Sequence, residues 1–538
     1  MSTIHSLELV FLLLLLFVVV FAALARKLNV PYPIVLVIAG LILSVIPGIP
    51  KITLDPNFIF LVVLPPLLYA AAWTTSWRDF SYNIVSILFL AFGLVGFTVI
   101  GVATAANWSF APFDFRLGLV LGAVVSTTDA IAATSIAKRI RLPQRAIDIL
   151  EGESLVNDAT GLLALEFAVA LIVHNEKPAF ATGAFRLLYL IGIGLAIGLV
   201  IALIVERVER YLDDGPIEIT LSILVPYVAY LAAEEAKASG VLAVVACGLY
   251  LSRRSNSLFS PAVRLETFGF WNAFTFLLNG LVFVLIGLQL PFVLAGIRDY
   301  SFRDLVLFGV FFSLLVIALR LLWIFPGAYV SNFIRRRIFH QKEPLPSPRA
   351  IFVVGWTGMR GVIALAAALS LPLTLGDGSP FPQRNLIIFL TFCVILVTLV
   401  LQGLTLPALI RGLGLALPPG IDREEENARR TMLGTALQYI EEQRTADQNS
   451  QLTAEFDDLA SHYARRLASL TNRDAADPSH DLESQSRLET LSLQLIAIER
   501  QTAVRLRNEG HINDEVLRRL ERELDLAQTH LVATPIQS

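Results

Sequence analysis

The chain has 538 residues, 55% of them apolar and only 16% Asp, Glu, Lys or Arg, against roughly 25% charged in ordinary soluble domains. That excludes a wholly soluble protein, because the apolar residues gather in runs of about 20, long enough to cross a hydrocarbon core. The charge is unevenly divided: residues 421–538 hold 14 Lys+Arg and 22 Asp+Glu, whereas residues 1–420 hold 28 and 23, so a lipid-embedded body of net +5 precedes an acidic tail of net −8.

The apolar runs predict thirteen helices, at about 6–25, 30–49, 56–76, 82–106, 115–140, 147–173, 183–206, 217–234, 238–253, 267–290, 302–327, 350–372 and 386–411. The first run lacks a basic leading segment and is followed by Arg26-Lys27 instead of a small-residue cleavage site, so it reads as a span and not as a signal peptide. Thirteen spans put the termini on opposite sides. With the N-terminus outside, the inner loops carry 18 Lys+Arg, including Lys138, Arg139, Arg141, Arg145 and Arg335 to Arg337, and the outer loops carry 8. The positive-inside rule therefore places the tail in the cytoplasm.

Spans five and twelve are interrupted at their midpoints, by Ser126-Thr127-Thr128-Asp129 and by Gly355-Trp356-Thr357-Gly358-Met359-Arg360-Gly361. Broken helices at corresponding places in two halves are a mark of inverted-repeat transporters. Spans one to six and eight to thirteen are then the repeats, with the two broken helices crossing near the midplane. The bland alternative is two ordinary helices softened by small residues for close packing.

Ionisable groups at the bilayer centre are expensive and functional by default, and here they concentrate on spans five, six and twelve. Asp158, in the string Glu151-Gly152-Glu153-Ser154-Leu155-Val156-Asn157-Asp158, falls near mid-depth on span six. A carboxylate there is too poorly solvated to stay bare, so it holds either a proton or a small cation, which is the physical basis of exchange. The hydroxyls of Thr128 and Ser154, with carbonyls freed where span five unwinds, supply neutral oxygens for a monovalent cation such as Na⁺, and Asn157 orients the ligands.

Glu153 and Arg360 are expected to form a structural ion pair, since buried charge is normally paired. Asp129 either caps the second half of span five or touches the ion. Glu166 either lines the outer approach or pairs locally, Arg320 snorkels from span eleven towards the surface, and Glu151 either draws cations into an inner funnel or is a solvated helix-end charge. Cys247 and Cys393 lie within apolar runs as inert core residues. No cofactor is called for, and the absence of basic-aromatic clusters gives no reason for a nucleic-acid partner.

The strings Leu64-Pro65-Pro66-Leu67-Leu68-Tyr69, Thr128-Asp129, Gly152-Glu153-Ser154-Leu155-Val156-Asn157-Asp158, Ser239-Gly240-Val241-Leu242-Ala243 and Gly358-Met359-Arg360-Gly361 resemble, in order, those of the sodium-proton antiporters of monovalent cation-proton antiporter family 1. The resemblance covers residues 6–411. It implies thirteen spans, a homodimer, and a dimerisation domain beside a mobile six-helix core, in a multi-pass protein of the plasma (inner) membrane concerned with pH homeostasis. It further implies Asp158 as the shared cation and proton carboxylate, Thr128 and Ser154 as ligands, Asn157 and Asp129 shaping the site, and Glu153 paired with Arg360. An Asn-Asp pair accompanies electroneutral exchange in that family, and Asn157 precedes Asp158 here. Two departures stand out: Ala130 replaces a frequent proline after the broken-helix aspartate, which predicts a milder break, and Ala70 or nearby alanines stand where several members carry a glutamate.

Residues 1–411 thus form the transmembrane domain and 412–538 a charged tail without lysine after residue 420, broken near Asp477-Pro478 and Gly510-His511. Leu488, Leu491, Leu495 and Ile498 fit one helical face, predicting two to four amphipathic helices that regulate transport, against a partly disordered tail. The class expected is an all-α polytopic membrane protein, an antiporter of Na⁺ or Li⁺ for H⁺ that is not an enzyme, with K⁺/H⁺ exchange as the nearest alternative. A cation channel or membrane sensor is the reading from another class; no filter-like Thr-Val-Gly-Tyr-Gly string is present.

Overall fold

The computed structural model describes residues 3–28, 30–46, 55–110, 113–140, 142–173, 180–212, 214–297, 300–341, 345–375, 377–415 and 423–446, with short pieces of 457–468 and 496–526. The chain divides into two units, Met1–Pro418 and Pro419–Ser538. In the second unit Arg423–Ala446 is helical and Ile498 is exposed, while Leu488, Leu491, Leu495, Asp477-Pro478 and Gly510-His511 lie outside the described residues.

The first unit is built from helices. Among the described residues ten are long and apolar enough to cross a membrane. Three further segments are shorter or carry more charge: Tyr32–Val45, Gly240–Leu258 and the pair Pro348–Trp356 and Val362–Leu369. Large apolar side chains remain exposed along the long helices, among them Leu199, Leu203 and Ile204 on one and Val306, Val310 and Leu314 on another. In water such faces would be a liability, whereas in lipid they are the solvated surface.

Proline and small residues shape the helices locally. Pro65 and Pro66 cannot donate backbone hydrogen bonds, and the preceding turn, Ile59–Val63, widens to a π-turn that absorbs them. Gly40 and Gly287 bring Tyr32–Val45 and Pro261–Leu288 together so closely that a Cβ on either would strike the other helix's backbone.

Two large apolar clusters divide the bundle. One gathers the broken helices, Arg384–Val397 and parts of the first two helices; the other gathers Tyr69, Trp73, Tyr230 and Trp271, with Trp271 Nε1 donating to Ser222 Oγ at 3.1 Å.

Both predicted interruptions are real. The first lies between Phe115–Ser126 and Ala130–Arg139, and the second between Pro348–Trp356 and Val362–Leu369. Ala130 in place of proline does not heal the first: Thr127 to Asp129 remain non-helical. The breaks are joined at the backbone, where the Asp129 N–H donates to Met359 O at 2.8 Å. Each half-helix end thereby finds some of the partners that its own ladder lacks.

Candidate functional site

Asp158 stands near the middle of the 30-residue helix Gln144–Val173, here called the site helix, and is 4% exposed. It lines a cavity of about 150 Å³ together with Thr128, Asp129, Thr134, Glu151 and Ser154. From Pro56–Thr74, Leu67, Leu68, Ala71 and Thr74 are among the lining residues, so that segment brings no carboxylate to the cavity. The acidic groups on the cavity are Asp129, Glu151 and Asp158. Among the described residues no hydrogen bond or ion pair reaches the Asp158 carboxylate.

The polar groups around it are tightly committed. Ser154 Oγ donates to Thr128 O at 2.9 Å and accepts from Ala130 N at 3.3 Å, stitching the site helix across the first break. Thr128 Oγ1 donates to Glu153 Oε1 at 3.1 Å and accepts from Asn157 Nδ2 at 2.5 Å. Asp129 Oδ1 accepts from Ile131 N at 2.8 Å and so caps Ala130–Arg139, a favourable place for negative charge. Asn157 is 1% exposed and is not among the residues lining the cavity.

The expected Glu153–Arg360 pair does not form. Glu153 pairs with Arg320, Nη1 to Oε1 at 2.5 Å and Nη2 to Oε2 at 2.9 Å, with both side chains essentially unexposed. The surface-snorkelling reading of Arg320 fails for the same reason. The span prediction ended that helix at 327, within two turns of Arg320, whereas it runs from Phe302 to Arg337 and puts Arg320 at its middle. Arg320 Nε also donates to Gly355 O at 3.1 Å and Nη2 to Val354 O at 3.2 Å, the last carbonyls of Pro348–Trp356.

Arg360 plays the matching part at the other break. Its Nε donates to Val125 O at 3.0 Å, at the C-terminal end of Phe115–Ser126, and its Nη1 donates to Gly358 O. Each guanidinium therefore sits where a helix presents unsatisfied carbonyls and partial negative charge. The Arg360 N–H donates to Thr398 Oγ1 at 3.2 Å, at the start of a π-turn in the last long helix.

Two glycines permit this interlock: a Cβ on Gly358 would run into the Arg320 side chain, and one on Gly361 into the Asp129 carboxylate.

The peripheral charges take the local options. Glu166 pairs with Arg186 at 3.2 Å, both half exposed, and Glu151, which lines the cavity, pairs with Lys138 at 2.7 Å. Cys247 is buried and Cys393 partly so, both free. Sequence reasoning missed Arg320 as the partner of Glu153 and Thr398 as a prop of the second break; a lone arginine amid apolar residues was the available signal for the first.

Comparison with known proteins decides the family. A family model described as sodium/hydrogen exchanger, transmembrane, matches residues 12–412. The chain belongs to this family. It is therefore a multi-pass transporter of the cation/proton antiporter class and not an enzyme. The exchanger is 34% identical over 527 residues to an uncharacterised Na⁺/H⁺ exchanger of Mycobacterium bovis, spanning 96% of this chain and 94% of that one. It is likewise 34% identical over 432 residues to a sodium, potassium, lithium and rubidium/H⁺ antiporter of Bacillus pumilus, covering 78% of this chain and 63% of that one. Its fold resembles the structure of a sodium proton antiporter from Methanocaldococcus jannaschii, with a TM-score of 0.61 at 21% identity, covering 78% of this chain and 100% of that chain.

Proposed function

We propose that the exchanger moves one Na⁺ or Li⁺ against one H⁺ by alternating access, with Asp158 binding cation and proton in turn. The observation that carries this is the position of Asp158: a nearly buried carboxylate in a small cavity shared with Thr128, Asp129 and Ser154, with the Arg320 and Arg360 guanidiniums committed elsewhere. A desolvated carboxylate without a counter-cation has two ways of losing its charge, protonation and cation binding, and they exclude each other. Thr128 and Ser154 sit beside it as oxygen donors, Asp129 shapes the floor, and Asn157 leaves Asp158 as the one acid of that pair, which supports electroneutral stoichiometry.

Counting Tyr32–Val45, Gly240–Leu258 and the second broken helix with the ten long apolar helices supports thirteen spans, hence two inverted six-helix repeats, an outer N-terminus and a cytoplasmic tail in the plasma membrane. The cavity then runs from Asp158 to Glu151 on the cytoplasmic side. A homodimer and a regulatory tail complete the proposal. A K⁺/H⁺ reading keeps the same mechanism and is favoured by the broad cation list in the name of the Bacillus relative.

The test is reconstitution in liposomes, following internal pH after addition of Na⁺, Li⁺ or K⁺ with the membrane potential clamped or free. Potential-insensitive proton movement on Na⁺ or Li⁺ addition is expected, and exchange that persists in Asp158→Asn overturns the mechanism.

A further inference from the structure

Asn279 also lines the cavity of Asp158, and it comes from a helix that carries neither break nor any of the acids at the site. That helix, Pro261–Leu288, packs mainly against Tyr32–Val45 and the first helix, with Gly287 set on Gly40. Val282 and Phe283 line the same cavity. Positions 279, 282 and 283 fall on one face of an α-helix, so this is the face turned to the ion space. Asn279 is 7% exposed.

From outside the breaks and the site helix, the polar side chains that line the cavity among the described residues are Thr74 and Asn279. The Thr74 hydroxyl shares its proton between Ala70 O at 2.9 Å and Ala71 O at 3.1 Å, back into its own helix. Among the described residues no hydrogen bond reaches the Asn279 amide. Packing alone would be served as well by leucine. A primary amide on an otherwise apolar face deep in a membrane protein is costly, unless the space before it brings the missing partner.

A monovalent cation leaving water needs a shell of oxygens to replace its hydration. Beside Asp158 much of that shell is already spent. The Thr128 hydroxyl serves Glu153 and Asn157, and Ser154 Oγ serves Thr128 O and the Ala130 N–H, so each hydroxyl keeps at most one lone pair. An amide carbonyl keeps two and carries no net charge. It can therefore add an oxygen to the cation without adding an acid to the site.

We propose that the side-chain carbonyl of Asn279 is a ligand of the cation held at Asp158, an assignment that rests on Asp158 being the cation carboxylate. The cation is then gripped from two sides, by the breaks and the site helix on one and by Pro261–Leu288 on the other. Asn279 sets how tightly the cation is held, and its neutrality leaves the one-for-one exchange of charge intact.

The experiment uses the full chain in proteoliposomes, reading the Na⁺ concentration for half-maximal exchange separately from the rate at saturating Na⁺. Binding of radioactive Na⁺ and thermal unfolding are measured on the same preparations in detergent. Asn279→Ala and Asn279→Leu, one leaving space and the other filling it, should each raise the half-maximal concentration about tenfold. The saturating rate should stay within about twofold of wild type, and the unfolding midpoint without Na⁺ should not fall. Asn279→Asp, which keeps an oxygen in place at the same size, should stay at or below the wild-type concentration. An unshifted concentration in both the Ala and Leu variants, a loss of rate and midpoint in its place, or a rise in Asn279→Asp equal to that in Asn279→Ala overturns the proposal. Asp158→Asn separates it from the reading beneath it: Na⁺ binding lost there but intact in both Asn279 variants overturns the role of Asn279 alone, whereas Na⁺ binding that persists in Asp158→Asn overturns both.

Discussion

Replacing Arg320 by Met is the sharpest test of how the centre is held. The substitution removes a guanidinium that is 0% exposed and leaves the Glu153 carboxylate, 1% exposed, without its cation. Breaking a buried pair in this one-sided way costs about 3–5 kcal/mol, because an uncompensated charge is left in a poor dielectric. The carbonyls of Val354 and Gly355 also lose their donor, which keeps the expected cost towards the upper end of that range. Removing both partners, as Glu153→Leu with Arg320→Met, leaves no bare charge. What remains is a lost acceptor for Thr128 and unmet carbonyls, about 1–3 kcal/mol.

Each single variant leaves one buried charge bare at about 3–5 kcal/mol, so the double-mutant cycle between 153 and 320 should show a coupling of at least about 3 kcal/mol. A parallel cycle between 153 and 360 should stay below about 1 kcal/mol, since Arg360 bonds to carbonyls and not to Glu153. Unfolding of each purified variant, followed by helical circular dichroism across a graded denaturing detergent, gives the four corners of each cycle. A larger coupling for 153 with 360 than with 320 would refute the assignment, and single and double variants equally unstable would refute the charge argument itself.

Three further outcomes follow from the same geometry. The isosteric Thr128→Val removes a hydroxyl that donates to Glu153 and accepts from Asn157; it should cost about 1–3 kcal/mol of stability, whereas Thr128→Ser, which keeps the hydroxyl, should lose less in a thermal-unfolding assay. Gly361→Ala drives a methyl into the Asp129 carboxylate; exchange in proteoliposomes should fall at least about tenfold, as overpacking costs about 1–3 kcal/mol, and wild-type activity would show that the close approach is dispensable. Lys138→Met breaks the partly exposed pair with Glu151, a lining residue of the cavity; stability should move by less than about 1 kcal/mol, while the cation concentration for half-maximal exchange should drop as Glu151 is released to attract cations, and an unchanged or higher value would count against a role for Glu151 in the approach.

Asp158 and the two broken helices were legible because burial of charge and interruption of an apolar run are local signals, readable one helix at a time. Asp129 as a cap was legible for the same reason: its acceptor lies two residues away. The partner of Glu153 was not. Two arginines, Arg320 and Arg360, compete for it, and both lie far from residue 153 in sequence. The choice depended on where each helix ends and how it is rotated. Assigning Phe302–Arg337 ten residues too short hid the fact that Arg320 lies at the middle of its helix. The commitment of the Thr128 and Ser154 hydroxyls to Glu153 and to backbone was equally invisible, since hydroxyls carry no sign in a pattern of polarity.

Composition and apolar run length by themselves determined a helical membrane body, an acidic tail and an intramembrane acid on the sixth predicted span, because the cost of water-loving groups in hydrocarbon is paid residue by residue. Only the tertiary structure decided that Arg320 neutralises Glu153, that Arg360 is spent on carbonyls, and that Asp158 is therefore left without a protein cation beside it. Pairing among buried charges is set by which helix ends meet and in what rotation, to within an ångström or two, and that information exists only once the breaks have crossed.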